Sequence, residues 1–302
     1  MVLHAILGTL SLFAAFFTAV FAKDYYKAYK EGALEKVNFV VASAVGFIIN
    51  FFDTLGVGSF APATAIFKFS KMVRDKDIPG TLNVANCLPV VTEALIFMTI
   101  VEVETFTLVT VILSAIVGAY FGAGLVSKLP ERKIQLAMGT ALLVVAVIMT
   151  CSILGIMPAG GDEIGLSGIP LIIACVGSFI LGITNCLGIG SYAPMMGMVF
   201  ALGLSPRVAF PLMMGSAAFL QPVASAMFVK EGAYNKKVSM AITIFGIIGV
   251  IIAAYIVKEL PVDILRKLVV AVVLITSADM FRSALKKPKQ QLEESKTEIA
   301  NN

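Results

Sequence analysis

The stretch LGVGSFAP, Leu55 to Pro62, returns 132 residues later as LGIGSYAP, Leu187 to Pro194, with six of eight positions identical. Each copy lies inside a long apolar run, 38–67 and 169–200. A helix of about 30 residues reaches about 45 Å, against about 30 Å of bilayer hydrocarbon, so neither run fits one ordinary crossing. Clustered glycines, serine and proline weaken a helix where they fall. Each run therefore reads as two shorter helices, broken at Gly56–Ser59 and Gly188–Ser191, with Pro62 and Pro194 marking the helix break on its far side. Helix breaks at membrane depth persist only where the freed backbone is buried in protein or lines a cavity.

The composition around these runs is that of a membrane protein. Of 302 residues 59% are hydrophobic and only 14% charged, where a soluble domain carries about 25% charged residues. Apolar runs near 20 residues recur at 2–22, 79–101, 106–126, 134–157, 208–229, 238–257 and 262–281. That length suits a helix crossing a bilayer, whereas barrel strands would alternate in segments of about ten. The basic residues sit between the runs, which points to membrane orientation and not to nucleic acid. Cys87, Cys151, Cys175 and Cys186 all lie in apolar runs without CxxC spacing, so neither a metal site nor a disulfide framework is expected. His4 is the single histidine, which removes histidine catalysis from the body of the chain. A serine hydrolase built on GIGSYAP would lack a base within reach, so no enzyme and no cofactor are expected. The segment 1–22 ends like a cleavage site, but no Lys or Arg precedes its apolar stretch, and it reads as a retained transmembrane helix.

The repeat extends past the phrase. Pro79 pairs with Pro206, and SKLPERKIQ from Ser127 pairs with KELPVDILR from Lys258. Two membrane repeats follow, 38–157 and 169–285, each a broken or re-entrant helix pair plus three transmembrane helices. A polar tail, 286–302, reads as disordered and cytoplasmic. If each broken run enters and leaves on one side, the inner connections carry 19 Lys and Arg and the outer ones 4, as the positive-inside rule requires. Three crossings per repeat then make the second repeat inverted relative to the first. The fold expected is an all-α integral membrane protein of two inverted-topology repeats with one extra N-terminal helix, C-terminus cytoplasmic. The rival topology, one crossing per long run, puts Lys68, Lys71, Arg74 and Lys76 outside.

Serine before a helix is a favoured N-cap, and proline in a first turn is tolerated, so the phrase reads as a break followed by a helix start. Helix starts present free N–H groups and a partial positive charge, which suit an anion. Gly56, Gly58, Ser59, Gly188, Gly190, Ser191 and Asn185 are thus the candidate substrate-binding residues, and two such starts meeting from opposite faces would form one site. The alternative is that the glycines are close packing points between helices. Asp53, three residues before Gly56, is placed either to carry a coupling proton or to cap the break. Glu93 is the other intramembrane acid, a coupling candidate or a hydrogen-bonded structural group. Asn83 and Asn86 share its helix, and Gln221 alone stands opposite in the second repeat. Arg207, at the start of its run, is an interface anchor or a substrate clamp.

The duplicated GVGSFAP and GIGSYAP, the LSPRVAF helix start, KEGAYNKK after it and the LP connections together resemble the TauE/SafE family of anion exporters, over about residues 2–285. That resemblance implies a multi-pass cell-membrane protein of bacterial type. It also implies export of a small sulfur-containing anion, sulfite or an organosulfonate, coupled to a proton or cation gradient; a homo-oligomer is compatible with it. The residues alone leave open a passive anion channel, a carboxylate permease of the same fold, or a scaffold without a ligand.

Overall fold

The computed structural model describes residues 2–55, 57–98, 103–156, 160–256 and 263–286. Gly56, the connection before the last helix (with Pro261) and the tail from 287 lie outside the described residues. The described chain is helical from end to end: α1 Val2–Lys30, α2 Phe39–Thr54, α3 Phe60–Ser70, α4 Ile78–Phe97, α5 Thr105–Val126, α6 Glu131–Ile153, α7 Gly168–Asn185, α8 Tyr192–Ala201, α9 Pro206–Glu231, α10 Lys236–Ile256 and α11 Asp263–Leu285. A single 3-10 turn, Asp75–Asp77, precedes α4. Eight of these helices are long and apolar enough to cross a membrane.

The long runs are broken as their sequence predicts. α2 has 16 residues and α3 has 11, separated at 55–59; α7 has 18 and α8 has 10, separated at 186–191. At 1.5 Å per residue α3 and α8 reach only about 15 Å, half the hydrocarbon thickness. α1 differs from expectation. It does not stop near residue 22 but continues through Lys23 to Lys30, so its last two turns are polar.

α4 and α9 form the centre. Of the most apolar window of each helix, 72% is buried in α4 and 83% in α9, against 17% in α1. α4 packs on α9, α2 on α10 and α5 on α7, while α6 pairs with α11. Secondary contacts join α4 to α10, α5 to α9, α3 to α11 and α6 to α8. Exchanging α2–α6 for α7–α11 in order maps these neighbours onto one another. The two outer pairs share a device. A Cβ on Gly46 of α2 would lie 2.5 Å from the Ile242 Cα of α10, and one on Gly182 of α7 would lie 2.3 Å from the Ala115 carbonyl oxygen of α5. Small residues of this kind let helix backbones meet directly.

The connections gather into two bonded groups. In one, the Lys236 ammonium meets Asp24, the Lys236 and Lys237 N–H groups donate to Glu35 at 3.0 and 3.1 Å, and Lys128 lies 3.9 Å from Glu231. Lys68 pairs with Asp75, whose carboxylate also accepts from Gln135 at 2.8 Å, and Lys68 donates to Ser283 at 2.9 Å. In the other group, Glu104 N–H donates to the Ile164 carbonyl at 2.9 Å, and Gly161 N–H to that of Leu204 at 3.2 Å.

Candidate functional site

Ser59 and Ser191 sit at the N-cap positions of α3 and α8, but neither caps its helix. Their backbones are helical, at φ −87°, ψ −36° and φ −76°, ψ −14°, and neither side chain bonds a helix N–H. A capping serine needs extended backbone to aim its oxygen at the N–H groups ahead. The expectation of serine caps is corrected accordingly. The Ser59 hydroxyl turns back across the break and donates to Asp53 Oδ2 at 2.7 Å. The Ser191 hydroxyl is buried and has no partner among the described residues.

The two breaks also turn differently. Gly58 takes the left-handed region at φ +89°, whereas in the second copy Gly188 does so, at φ +90°, and Gly190 does not. A Cβ on Gly188 would press on Leu82 at 3.0 Å, so this glycine is a packing point. Around Gly58 and Gly190 nothing lies within 4 Å of an added Cβ, so the packing alternative fails for both. They face open space.

That space is one cavity of about 410 Å³, shared by both breaks. The first break contributes Asp53, Gly58 and Ser59; the second contributes Asn185, Gly190 and Ser191. The first turns of α3 and α8 line it through Phe60, Ala61, Tyr192 and Pro194. Pro62 and Gly188 are not on its wall. Pro62 and Pro194 are the third residues of their helices, where a missing N–H leaves no intrahelical bond unmade. The remaining walls are apolar: Val90 of α4, Val145, Ile148 and Met149 of α6, Met213 of α9. Val57, Ile153, Met196 and Ala217 add to the apolar lining, and Ser152 of α6 and Gln221 of α9 are the further polar residues on it. No Lys or Arg lines it among the described residues, and Asp53 is its one acidic wall residue.

Glu93 stands behind the wall. The Tyr192 hydroxyl donates to its Oε2 at 2.9 Å, a bond from the second repeat into the first, and its Oε1 has no partner among the described residues. The two asparagines of α4 serve other ends. Asn83 donates to the Pro79 carbonyl at 2.9 Å and accepts from the Asn185 amide at 3.1 Å, and Asn86 donates to the Leu82 carbonyl at 2.8 Å. Asn185 thus ties the second break to α4 while lining the cavity. Tyr192 and the α6 wall were not singled out by sequence. The Phe60–Tyr192 difference between the copies was the one available signal for Tyr192; α6 carries no motif.

A multi-helix membrane protein whose two broken helices open on one internal cavity has the architecture of transport proteins. The chain belongs to the TauE/SafE sulfite exporter family: the family model for Sulfite exporter TauE/SafE matches residues 1–149 and 170–300. It is therefore a membrane transport protein of the sulfite and sulfonate type. No curated protein and no solved structure matches the chain.

Proposed function

We propose that this chain is a secondary active exporter of a small anion, sulfite or an organosulfonate, held between the starts of α3 and α8 near the middle of a bacterial-type cell membrane. One observation carries the reading: both copies of the glycine-serine-proline phrase line the same cavity. Each helix start offers backbone N–H groups without intrahelical partners, and the facing partial positive charges suit an anion. The Ser191 hydroxyl adds an unengaged donor.

Export requires coupling, and the acids supply it. Among the described residues no Lys or Arg neutralises an anion at the wall, so a bound anion would meet the Asp53 carboxylate and, behind Tyr192, that of Glu93. Protonation of these acids removes the repulsion, so anion and proton share the site and move together, and net transport is outward where the outward anion gradient exceeds the inward proton gradient. The inverted arrangement of the repeats is part of the proposal. The exchange of helix neighbours between halves and the sorting of connections into two bonded groups support it. In this reading the group holding Lys128, Lys236 and Ser283 is cytoplasmic, and so is the C-terminus.

The test is the purified protein in liposomes on a solid-supported membrane, given concentration jumps of sulfite, sulfonates, sulfate and small carboxylates, with and without a pH gradient. A current for sulfite or sulfonates, and uphill tracer accumulation driven by the pH gradient, are expected. Ser59→Ala combined with Ser191→Ala should weaken binding about tenfold or more, the Ser191 hydroxyl's bond to a charged ligand being removed together with the Ser59 bond that orients Asp53. Unchanged affinity in the folded double variant would sink the site. Flux that only ever runs downhill would make the protein a channel, and a response to carboxylates alone would make it a carboxylate permease.

A further inference from the structure

Glu93 is 1% exposed and has no place on the cavity wall, so an anion between the helix starts does not touch it. Tyr192 reaches both. It is the first residue of α8 and lines the cavity, and its hydroxyl donates to Glu93 Oε2 at 2.9 Å. The start of α8, in the second repeat, is thereby tied to α4, in the first, through one carboxyl group. The first repeat has no copy of this tie. Phe60, the counterpart of Tyr192, lacks a hydroxyl, and α9, the counterpart of α4, carries no acid before Glu231.

The surroundings of Glu93 leave its charge to a proton. Beside the carboxyl stand Asp53 and Thr54, at the end of α2, and Tyr192 of α8. The ionisable side chains of α9 and α10, which pack on α4, lie at the ends of those helices: Arg207, Lys230 and Glu231 in the one, Lys236, Lys237 and Tyr255 in the other. α1 carries His4 and the cluster 23–30 at its ends, and Lys68 of α3 is bound to Asp75. Asp75 and Asp77 stand about four helical turns from Glu93, before the start of α4. Among the described residues no cation therefore faces Glu93. A hydroxyl bonds a carboxylate about twice as strongly as a neutral group. The tie on α8 is tight while Glu93 is ionised and slack once it is protonated.

We infer, on the proton-coupled reading above, that Tyr192 is a positioning residue for coupling: its bond to ionised Glu93 holds the start of α8, and protonation of Glu93 releases it, so that the anion crosses only with a proton. The carboxyl O–H is the one covalent bond made and broken, its proton taken from water on one side and returned to water on the other. Linkage is reciprocal, so an anion that moves the start of α8 also acts on the proton at Glu93.

The test is transport by the full-length protein in liposomes, with radiolabelled sulfite and ethanesulfonate as probes, for wild type, Tyr192→Phe, Glu93→Gln and the two combined. Wild type should accumulate a probe against its gradient when a pH gradient is imposed. Tyr192→Phe should lose that accumulation, keep downhill flux, and carry the probe at a rate indifferent to the pH gradient. A merely structural role would lower both kinds of flux together. Glu93→Gln leaves the hydroxyl an acceptor that does not titrate, so it should leak in the same way, and the combined variant should match either single one. Accumulation retained by Tyr192→Phe or by Glu93→Gln, or a combined variant that leaks more than both, overturns the latch and leaves the exporter standing. Absence of flux in a folded, monodisperse Tyr192→Phe does the same, because a released α8 must still pass the anion; where Tyr192→Phe does not fold, Glu93→Gln alone decides. A wild type that carries neither probe uphill overturns the proton-coupled reading and this inference with it.

Discussion

Gly58 and Gly190 hold the same place in the two copies of the phrase, and both face open space, but only Gly58 has a left-handed backbone. Gly58→Ala should therefore lower stability by about 1–2 kcal/mol through backbone strain alone. Gly190→Ala should leave stability unchanged and place a methyl group in the cavity. Thermal melting in detergent and ligand affinity, measured on both variants, separate the two effects: the first moves the melting curve, the second moves affinity alone. The serines divide in the same way. Ser59 already serves Asp53 at 2.7 Å, while Ser191 has no partner among the described residues. Removing the Ser59 hydroxyl leaves a buried carboxyl without its donor, so Ser59→Ala should cost about 1–3 kcal/mol of stability, whereas Ser191→Ala should cost none and weaken ligand binding more. Sequence could name these positions because Gly, Ser and Pro together have a strong local meaning. It could not assign them separate roles, because the phrase is nearly identical in both copies. The difference arises from what stands nearby, Asp53 in one copy and Asn185 in the other.

Among the elements, α4 shows how a membrane helix accommodates a proline. Pro89 has no N–H, which leaves the Ala85 carbonyl, four residues earlier, without its helical partner. The Thr243 hydroxyl of α10 donates to that carbonyl at 3.1 Å. Thr243→Val keeps the shape and removes the donor, so it should destabilise the protein by about 1–3 kcal/mol. An unshifted melting temperature in that variant would show the carbonyl satisfied otherwise. Here the compensating contact was unreadable from sequence, because a lone proline in an apolar run says nothing of which neighbour compensates. The end of α1 was misjudged for a related reason. Hydropathy falls at Lys23, but KDYYKAYK contains no helix breaker, and Gly32 is the first after it. Asp24 is then held by Lys236 and by the Tyr234 hydroxyl, contacts that exist only once α10 is in place. The broken runs were legible because their length conflicted with bilayer thickness, a constraint that acts on the sequence directly.

At the scale of the molecule, the halves are locked at one end by Lys68 of α3, which meets Asp75 in its own repeat and Ser283 of α11 in the other. Both charged side chains are largely buried, 10% and 13% exposed, and Gln135 of α6 joins the same carboxylate. Removing one partner of such a pair strands the other, so Lys68→Met should cost about 3–5 kcal/mol, and adding Asp75→Leu should recover most of it. The same cluster bears on topology. Its members come from 68–77, α6 and α11, and with one crossing for every other helix they meet only if 169–200 returns to the end it left; the bond from Lys236 N–H to Glu35 then asks the same of 38–67. That gives a decisive labelling experiment. With the four native cysteines replaced by alanine, single cysteines at Lys30, Lys71, Lys128 and Asp162 are exposed to a membrane-impermeant maleimide in intact and in opened cells. The inverted arrangement expects Asp162→Cys to react in intact cells and the other three only after opening. A single crossing per long run would instead pair Lys71→Cys with Lys128→Cys on the outside, and Lys30→Cys with Asp162→Cys on the inside. Because the two patterns differ at three of the four positions, one mislabelled site cannot convert one into the other. The pattern observed fixes whether the starts of α3 and α8 enter the cavity from opposite faces, the geometry on which an alternating-access anion site depends.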